Sequence, residues 1–234
     1  MSGGAPVPPT TIQKLEKRSN AKGVILMGMT ETSPLYTLGS PDDSEEKRHH
    51  STGRPLPHTE VRIVDPVTDE VTDCQTPGEI QVRGYLVMSG YYKMESQTKE
   101  VLSPDGWFRT GDIGMMDEEG YLNVIGRIKD MIIRGGENIY PKEIENILLQ
   151  HPQINDAQVV GVPDEYFGEV AAACIKKNKD ESLTEDEIIQ YCKSKMSHQK
   201  VPKYIFFTDE FPLTASGKVI KMALKKQVIE ELGI

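Results

Sequence analysis

Residues 126–145 read GRIKDMIIRGGENIYPKEIE, and this stretch decides the fold. It sets Arg127, Lys129 and the pair Gly135–Gly136 ahead of a helix that Pro141 suits at its first position. Ile144, Ile147, Leu148 and His151 then recur at helical spacing on one face. Core building alone does not ask for an Arg, a Lys and a diglycine turn in that order. Glycine lets backbone amides approach a phosphate or thioester that a side chain would block, so the stretch reads as a nucleotide or acyl-group site.

Downstream the pattern mixes helix and strand. Residues 157–162 and 170–175 read as strands, Thr184 with Glu187 as a capping box opening a helix through Met196, 204–208 as a strand and 221–232 as a last helix. Upstream the chain is richer in strands. A short helix at 11–18 and an apolar strand at 24–29 precede a charged segment, 39–54, that reads as a surface loop. Alternation at 61–64 and 80–83 predicts half-buried antiparallel or barrel-like strands, and Glu118–Gly120 a turn into a strand at 121–125. The fold class expected is α+β, with a β-rich distorted-barrel part over 1–128 and a small α+β domain over 129–234.

The chain has 234 residues and a formal net charge of −9. That balance argues against non-specific nucleic-acid binding, which needs a net basic face. Three cysteines, Cys74, Cys174 and Cys192, show no CxxC spacing, so neither a disulfide framework nor a zinc site is expected, and a reduced intracellular compartment fits. No run of about 18 apolar residues marks a transmembrane segment.

Further motifs fall in order around the opening stretch: SGGAP at Ser2–Pro6, GMTE at Gly28–Glu31, GEIQVRG at Gly78–Gly84, TGD at Thr110–Asp112 and PLTASGK at Pro212–Lys218. Together they resemble the signatures of the adenylate-forming (AMP-binding) enzymes, and the resemblance covers essentially the whole chain. Within that family, GGENIYPKEIE followed by VVGVPDEYFGE looks most like a short- to medium-chain fatty acyl-CoA synthetase. The family carries a phosphate loop and an acyl pocket upstream of SGGAP, so the chain is expected to be the C-terminal part of a larger enzyme whose N-terminal portion is missing here.

The resemblance implies roles residue by residue. Lys218 would offset the negative charge that builds when a carboxylate attacks the α-phosphate of ATP. Thr30 would contact phosphate and Glu31 would hold Mg²⁺, since a hard cation prefers carboxylate oxygen. Gly3, Gly4, Ala5 and Pro6 match the adenine-edge segment. Met27, before Gly28, stands where the family usually has an aromatic that stacks on adenine. Asp112 would accept from the ribose hydroxyls, Arg127 would serve as a second ribose or phosphate ligand, and Lys129 would be the hinge about which a mobile C-terminal domain turns. Gly135, Gly136 and Glu137 would belong to the thiol-transfer face. Taken singly, SGK reads as a solvated turn, TGD as a tight turn, and Glu79 and Arg83 as structural ionic contacts; the order of motifs favours function for the first two. Lysines 193, 195, 200 and 203 read as a solvated face.

The expected reaction is ligation of a fatty or other small carboxylic acid to coenzyme A through an acyl-adenylate, with ATP and Mg²⁺. The chain alone, without phosphate loop and pocket, is expected to be inactive. Two alternatives remain: the same scaffold with a non-CoA acceptor, and a non-catalytic binding module. The resemblance is to mitochondrial matrix or cytosolic enzymes.

Overall fold

A computed structural model describes residues 1–3, 9–178, 182–215 and 217–234. The chain divides into two units, Met1–Ile128 and Lys129–Ile234.

In the first unit, helix α1 (Pro9–Ser19) leads to a three-stranded antiparallel sheet of β1 (Leu26–Met27), β2 (Thr37–Leu38) and β3 (Arg54–Pro55). Between β2 and β3 lies a helix, α2 (Glu45–His50), in the segment expected to be a loop. The reason for the difference is physical. Ser44 caps the helix, and its buried face is made of Arg48 and His49 rather than apolar residues, so no hydrophobic period marks it. Glu16 of α1 binds both: its Oε1 pairs with Arg48 and its Oε2 lies 3.0 Å from His49 Nε2. A meander follows in the order β4 (Thr59–Val64), β5 (Gly78–Gly84), β6 (Phe108–Met116), β7 (Leu122–Arg127), with α3 (Glu95–Val101) between β5 and β6. Its inner face packs Ile63, Ile80, Val82 and Leu122 with Tyr36 and Leu86. The expected structural ionic contacts are present: buried Glu79 pairs with Arg109 at 2.9 Å, and Arg83 with Glu60 at 2.6 Å.

The second unit opens with a hairpin, β8 (Ile132–Arg134) and β9 (Glu137–Ile139), before α4 (Pro141–Leu148). Helix α4 stops short of His151, which lies in the following turn. The long antiparallel pair β10 (Ile154–Asp164) and β11 (Gly168–Lys177) forms the spine, with β8 on the free edge of β11 and β12 (Tyr204–Phe207) pairing parallel to it. Helix α5 (Glu185–Lys195) opens on the reciprocal Thr184–Glu187 cap, and α6 (Lys221–Leu232) closes the chain. Both faces of the β10–β11 ladder are apolar. Ala157, Val159, Ala171, Ala173 and Ile175 pack with Ile144, Leu148 and Ile188, while Val160, Val162, Val170, Ala172 and Cys174 pack with Leu224, Val228 and Phe211. Burial pushes the Cys174 thiol up to about 12 and the Cys192 thiol up to about 11. Among the described residues no helix is long and apolar enough to cross a membrane.

The α1–α2 clasp has a signature in acid. The Gly23 amide, and after it the Arg48 guanidinium, hold the Glu16 carboxyl down to about 2, below its ordinary 4.5. A depressed carboxyl stabilises the fold above its unfolded pKa and loses that contribution as pH falls through the folded one. Resistance of the wild type to chemical denaturation should therefore fall as pH drops from 4.5 to about 2, and Glu16→Gln should lower the midpoint at pH 7 while flattening that acid limb. An acid limb unchanged by the substitution would show that the clasp does not act this way.

Candidate functional site

In the first unit, Met27 ends β1 and lies half-buried against the Tyr36–Ile80 core, and Gly28 follows it. A Cβ on Gly28 would stand 2.0 Å from the Pro34 carbonyl oxygen and 2.3 Å from Leu35 Cα. Only a hydrogen fits there, and the close approach folds residues 28–35 into a tight loop. Thr30 and Glu31 sit in its single 3₁₀ turn, Thr30–Thr32, which the Thr32 hydroxyl closes by accepting from the Met29 amide at 3.1 Å. Thr30 is exposed and Glu31 half-buried. The Tyr91 hydroxyl donates to Glu31 Oε1 at 3.0 Å, which orients the carboxylate; among the described residues Oε2 receives no hydrogen bond. A carboxylate held in this way suits a hard divalent cation. No group of three or more His, Cys, Asp or Glu able to hold a metal occurs among the described residues.

The TGD residues lie within β6 rather than in a turn. Thr110 donates its hydroxyl to the Ile80 carbonyl at 2.8 Å, and Gly111 has φ +69° with open space where a Cβ would be. Asp112 is 2% exposed and pairs in register with Arg127 of β7, whose Nε donates to Oδ1 at 2.9 Å. The structure so brings two predicted ligands together, the half-exposed guanidinium orienting the buried carboxylate. Beneath them is Tyr36, which sequence reasoning missed. Its hydroxyl is fully buried, and burial, then the negative charge of Asp112, pushes its titration well above the ordinary range. Nothing in the local sequence marks Tyr36 or Tyr91, because each meets its partner through the fold. Gly3 packs against Leu26 beside the Ser2–Ile25 bridge. Gly4, Ala5 and Pro6 lie outside the described residues.

In the second unit, Lys129 is exposed in the turn Ile128–Asp130. Gly135 and Gly136 are the two loop residues of the β8–β9 hairpin, between paired Arg134 and Glu137. Their φ values of +58° and +88° are the signs that a two-residue type I′ turn demands, and glycine adopts both without steric cost. The Gly135 amide donates to the Phe167 carbonyl at 2.8 Å. A strand, β9, also separates the turn from α4. Gly136 and Glu137 remain exposed. Lys218 stands exposed on a small hairpin closed by the Leu213–Val219 bridge, and among the described residues its ammonium forms no ion pair. Ser216 lies outside the described residues. Of the four lysines expected on a solvated face, Lys200 pairs with Glu143 and Lys203 with Asp164.

The β-rich unit thus holds an oriented buried carboxylate, and the α+β unit presents an exposed lysine on a hairpin. The chain matches the AMP-binding enzyme family over residues 1–92 and the AMP-binding enzyme C-terminal domain over residues 143–218, and it belongs to that family. It is 47% identical over 232 residues to the mitochondrial medium-chain acyl-CoA ligase ACSF2 of Mus musculus, covering 99% of this chain and 38% of the relative. It is 49% identical over 232 residues to the putative acyl-CoA synthetase YngI of Bacillus subtilis (strain 168), covering 99% of this chain and 42% of the relative. Among solved structures, ATP-bound MatB from Rhodopseudomonas palustris superposes with a TM-score of 0.91 at 33% identity, covering 97% of this chain and 44% of that one. The chain thus spans about two-fifths of the length of the curated relatives it matches.

Because a Cβ at Gly28 has backbone on its contact side, Gly28→Ala should cost about 1–3 kcal/mol, the usual penalty of overpacking a filled site. A urea midpoint lowered with an unchanged slope would show this; an unchanged midpoint would mean that the loop yields at no cost.

Proposed function

We propose that this chain forms part of an acyl-CoA synthetase: a carboxylic acid and ATP give an acyl-adenylate and pyrophosphate, and coenzyme A then displaces AMP to give the thioester. Adenylation suits the chemistry, since a carboxylate becomes an acyl donor once its oxygen is part of a phosphate leaving group. A fatty acid is the substrate class proposed, on the resemblance to medium-chain ligases, and a mitochondrial location rests on the name of the mouse relative.

The observation that carries the reading is Lys218, an exposed ammonium on a small hairpin with no carboxylate of its own to neutralise it among the described residues. Two anions must meet when carboxylate attacks phosphate, and a cation placed there stabilises the transition state more than the separated reactants. Asp112, held by Arg127, would accept from the ribose hydroxyls; Thr30 would donate to phosphate; Met27 would pack on adenine through its polarizable sulfur. Glu31, oriented by Tyr91, would bind Mg²⁺, which when bound neutralises phosphate charge. Gly136 and Glu137, at the free face of the β8–β9 turn, would border the thiol in the second step. Lys129, at the first position of the second unit, would act as the hinge between the two steps.

In the intact enzyme, Lys218→Ala should lower acyl-adenylate formation by about 10²–10³-fold, the scale for losing one preorganised transition-state contact. Thioester formation from supplied acyl-adenylate should stay close to wild type. Pyrophosphate exchange and single-turnover thioester assays separate the two steps, and an equal loss in both would refute the role given to Lys218.

A further inference from the structure

One buried charged group in the second unit takes no part in the chemistry just described. Glu145, on the inner face of α4, is 3% exposed. Its Oε1 accepts from the Val159 amide at 3.0 Å and from Lys221 Nζ at 2.6 Å, and Lys142 Nζ lies 3.6 Å from its Oε2. Lys221 Nζ also donates to the Val159 carbonyl at 3.1 Å. The pair therefore ties α4, β10 and the first residue of α6 together at one point.

Local forces do not account for Lys221. It opens a helix, where the macrodipole disfavours a cation, and α6 has neither an acidic residue in its first turn nor a side-chain cap at Ile220. Its partner is tertiary. A buried ion pair is seldom better for stability than an apolar pair of the same shape, and its best-attested use is to fix a register.

What it fixes here is the foot of the hairpin that carries Lys218. On one side of that hairpin Phe211 sits in the core with Leu224 and Val228; on the other, Ile220 donates to the Pro212 carbonyl at 2.8 Å and Lys221 follows at once. Between the feet the hairpin carries bonds of its own, Thr214 N to Lys218 O at 2.8 Å, Gly217 N to Thr214 O at 2.9 Å and Lys218 N to Thr214 Oγ1 at 3.0 Å. The diglycine hairpin is secured separately. The Ile133 amide donates to Glu169 Oε2 at 3.2 Å, and Glu169 Oε1 meets Lys225 of α6 at 2.9 Å. The Lys225–Glu169 pair, with Leu224 and Val228, gives α6 further anchors on the sheet besides Lys221.

We propose that Glu145 and Lys221 are positioning residues for Lys218: their part-buried pair sets the hairpin foot, so that breaking it slows acyl-adenylate formation and spares thioester formation. This rests on the role given to Lys218 under the proposed function. The two residues touch no substrate; they act through the direction in which the hairpin leaves the core.

The test uses the intact enzyme with Lys221→Met, Lys221→Arg, Glu145→Gln and the Glu145→Gln/Lys221→Met double variant, each first checked for a native melting profile. Lys221→Met should lower kcat for acid-dependent pyrophosphate exchange by about 10–100-fold with KM for ATP within about threefold, as expected when a catalytic group is misplaced rather than lost. Thioester formation from added acyl-adenylate should hold within about twofold, Lys221→Arg should recover most of the exchange rate, and the double variant should be no worse than Lys221→Met, as for two ends of one interaction. Amide hydrogen exchange gives a readout independent of turnover: Thr214 and Gly217 should exchange faster in Lys221→Met while the β10–β11 amides keep their protection. Unchanged pyrophosphate exchange and unchanged loop protection would overturn the inference, as would a parallel fall in both half-reactions. If Lys218→Ala behaves as expected and Lys221→Met as wild type, the positioning role alone fails; if Lys218→Ala retains full exchange activity, the proposed function fails and takes this inference with it.

Discussion

The second unit depends on one constraint, that the β10–β11 ladder must bury both of its faces. The pairing runs in register from Ala157 opposite Ile175 to Asp164 opposite Gly168, and successive residues point alternately into two apolar clusters. Helices α4 and α5 cover one face and α6 covers the other. Both hairpins of chemical interest in the unit hang from this spine. The diglycine hairpin joins the edge of β11 at Gly168, and the Lys218 hairpin is the connection that carries the chain from β12 to α6 across the second face. A spine with one wet face would need no α6, and the lysine hairpin would have no second foot.

The first unit solves a different problem, that of burying carboxylates beside partners that satisfy them. Asp112 has its guanidinium partner directly across the β6–β7 ladder, and Glu79 has Arg109 and the Gly111 amide around it. Breaking such a pair by removing one partner costs several kcal/mol, because the other charge stays buried. The β-register therefore serves the chemistry: a slip of one residue between β6 and β7 would turn Asp112 to the other side of the sheet.

Much of this was legible in the amino-acid order, and the parts that were not share a cause. Strands β10, β11 and β12 and the Thr184 cap follow from apolar runs and capping, because apolar burial leaves a signature in the local sequence. Helix α2 leaves none, since what it buries is Arg48 and His49 against a carboxylate 32 and 33 residues away. Tyr36, Tyr91 and the Glu145–Lys221 pair were silent for the same reason: a polar contact between distant residues has no local period. The GMTE, TGD and PLTASGK motifs did point to Glu31, Asp112 and Lys218, but motif spacing said nothing of how each is held. Glu31 is oriented by Tyr91, Asp112 by Arg127, and the Gly135 amide, expected at a ligand, is engaged by Phe167.

The central proposal is that Lys218 acts in acyl-adenylate formation, with Asp112 proposed separately as a ribose ligand. Its most direct test is a crystal structure of the intact enzyme bound to a non-hydrolysable acyl-adenylate mimic. The account predicts that Asp112 accepts hydrogen bonds from the ribose hydroxyls while still held by Arg127, and that Lys218 Nζ reaches the acyl-phosphate oxygens in the adenylation state. A ligand whose ribose is bound by other residues, with Asp112 pointing away and Lys218 in solvent in every state observed, would contradict it.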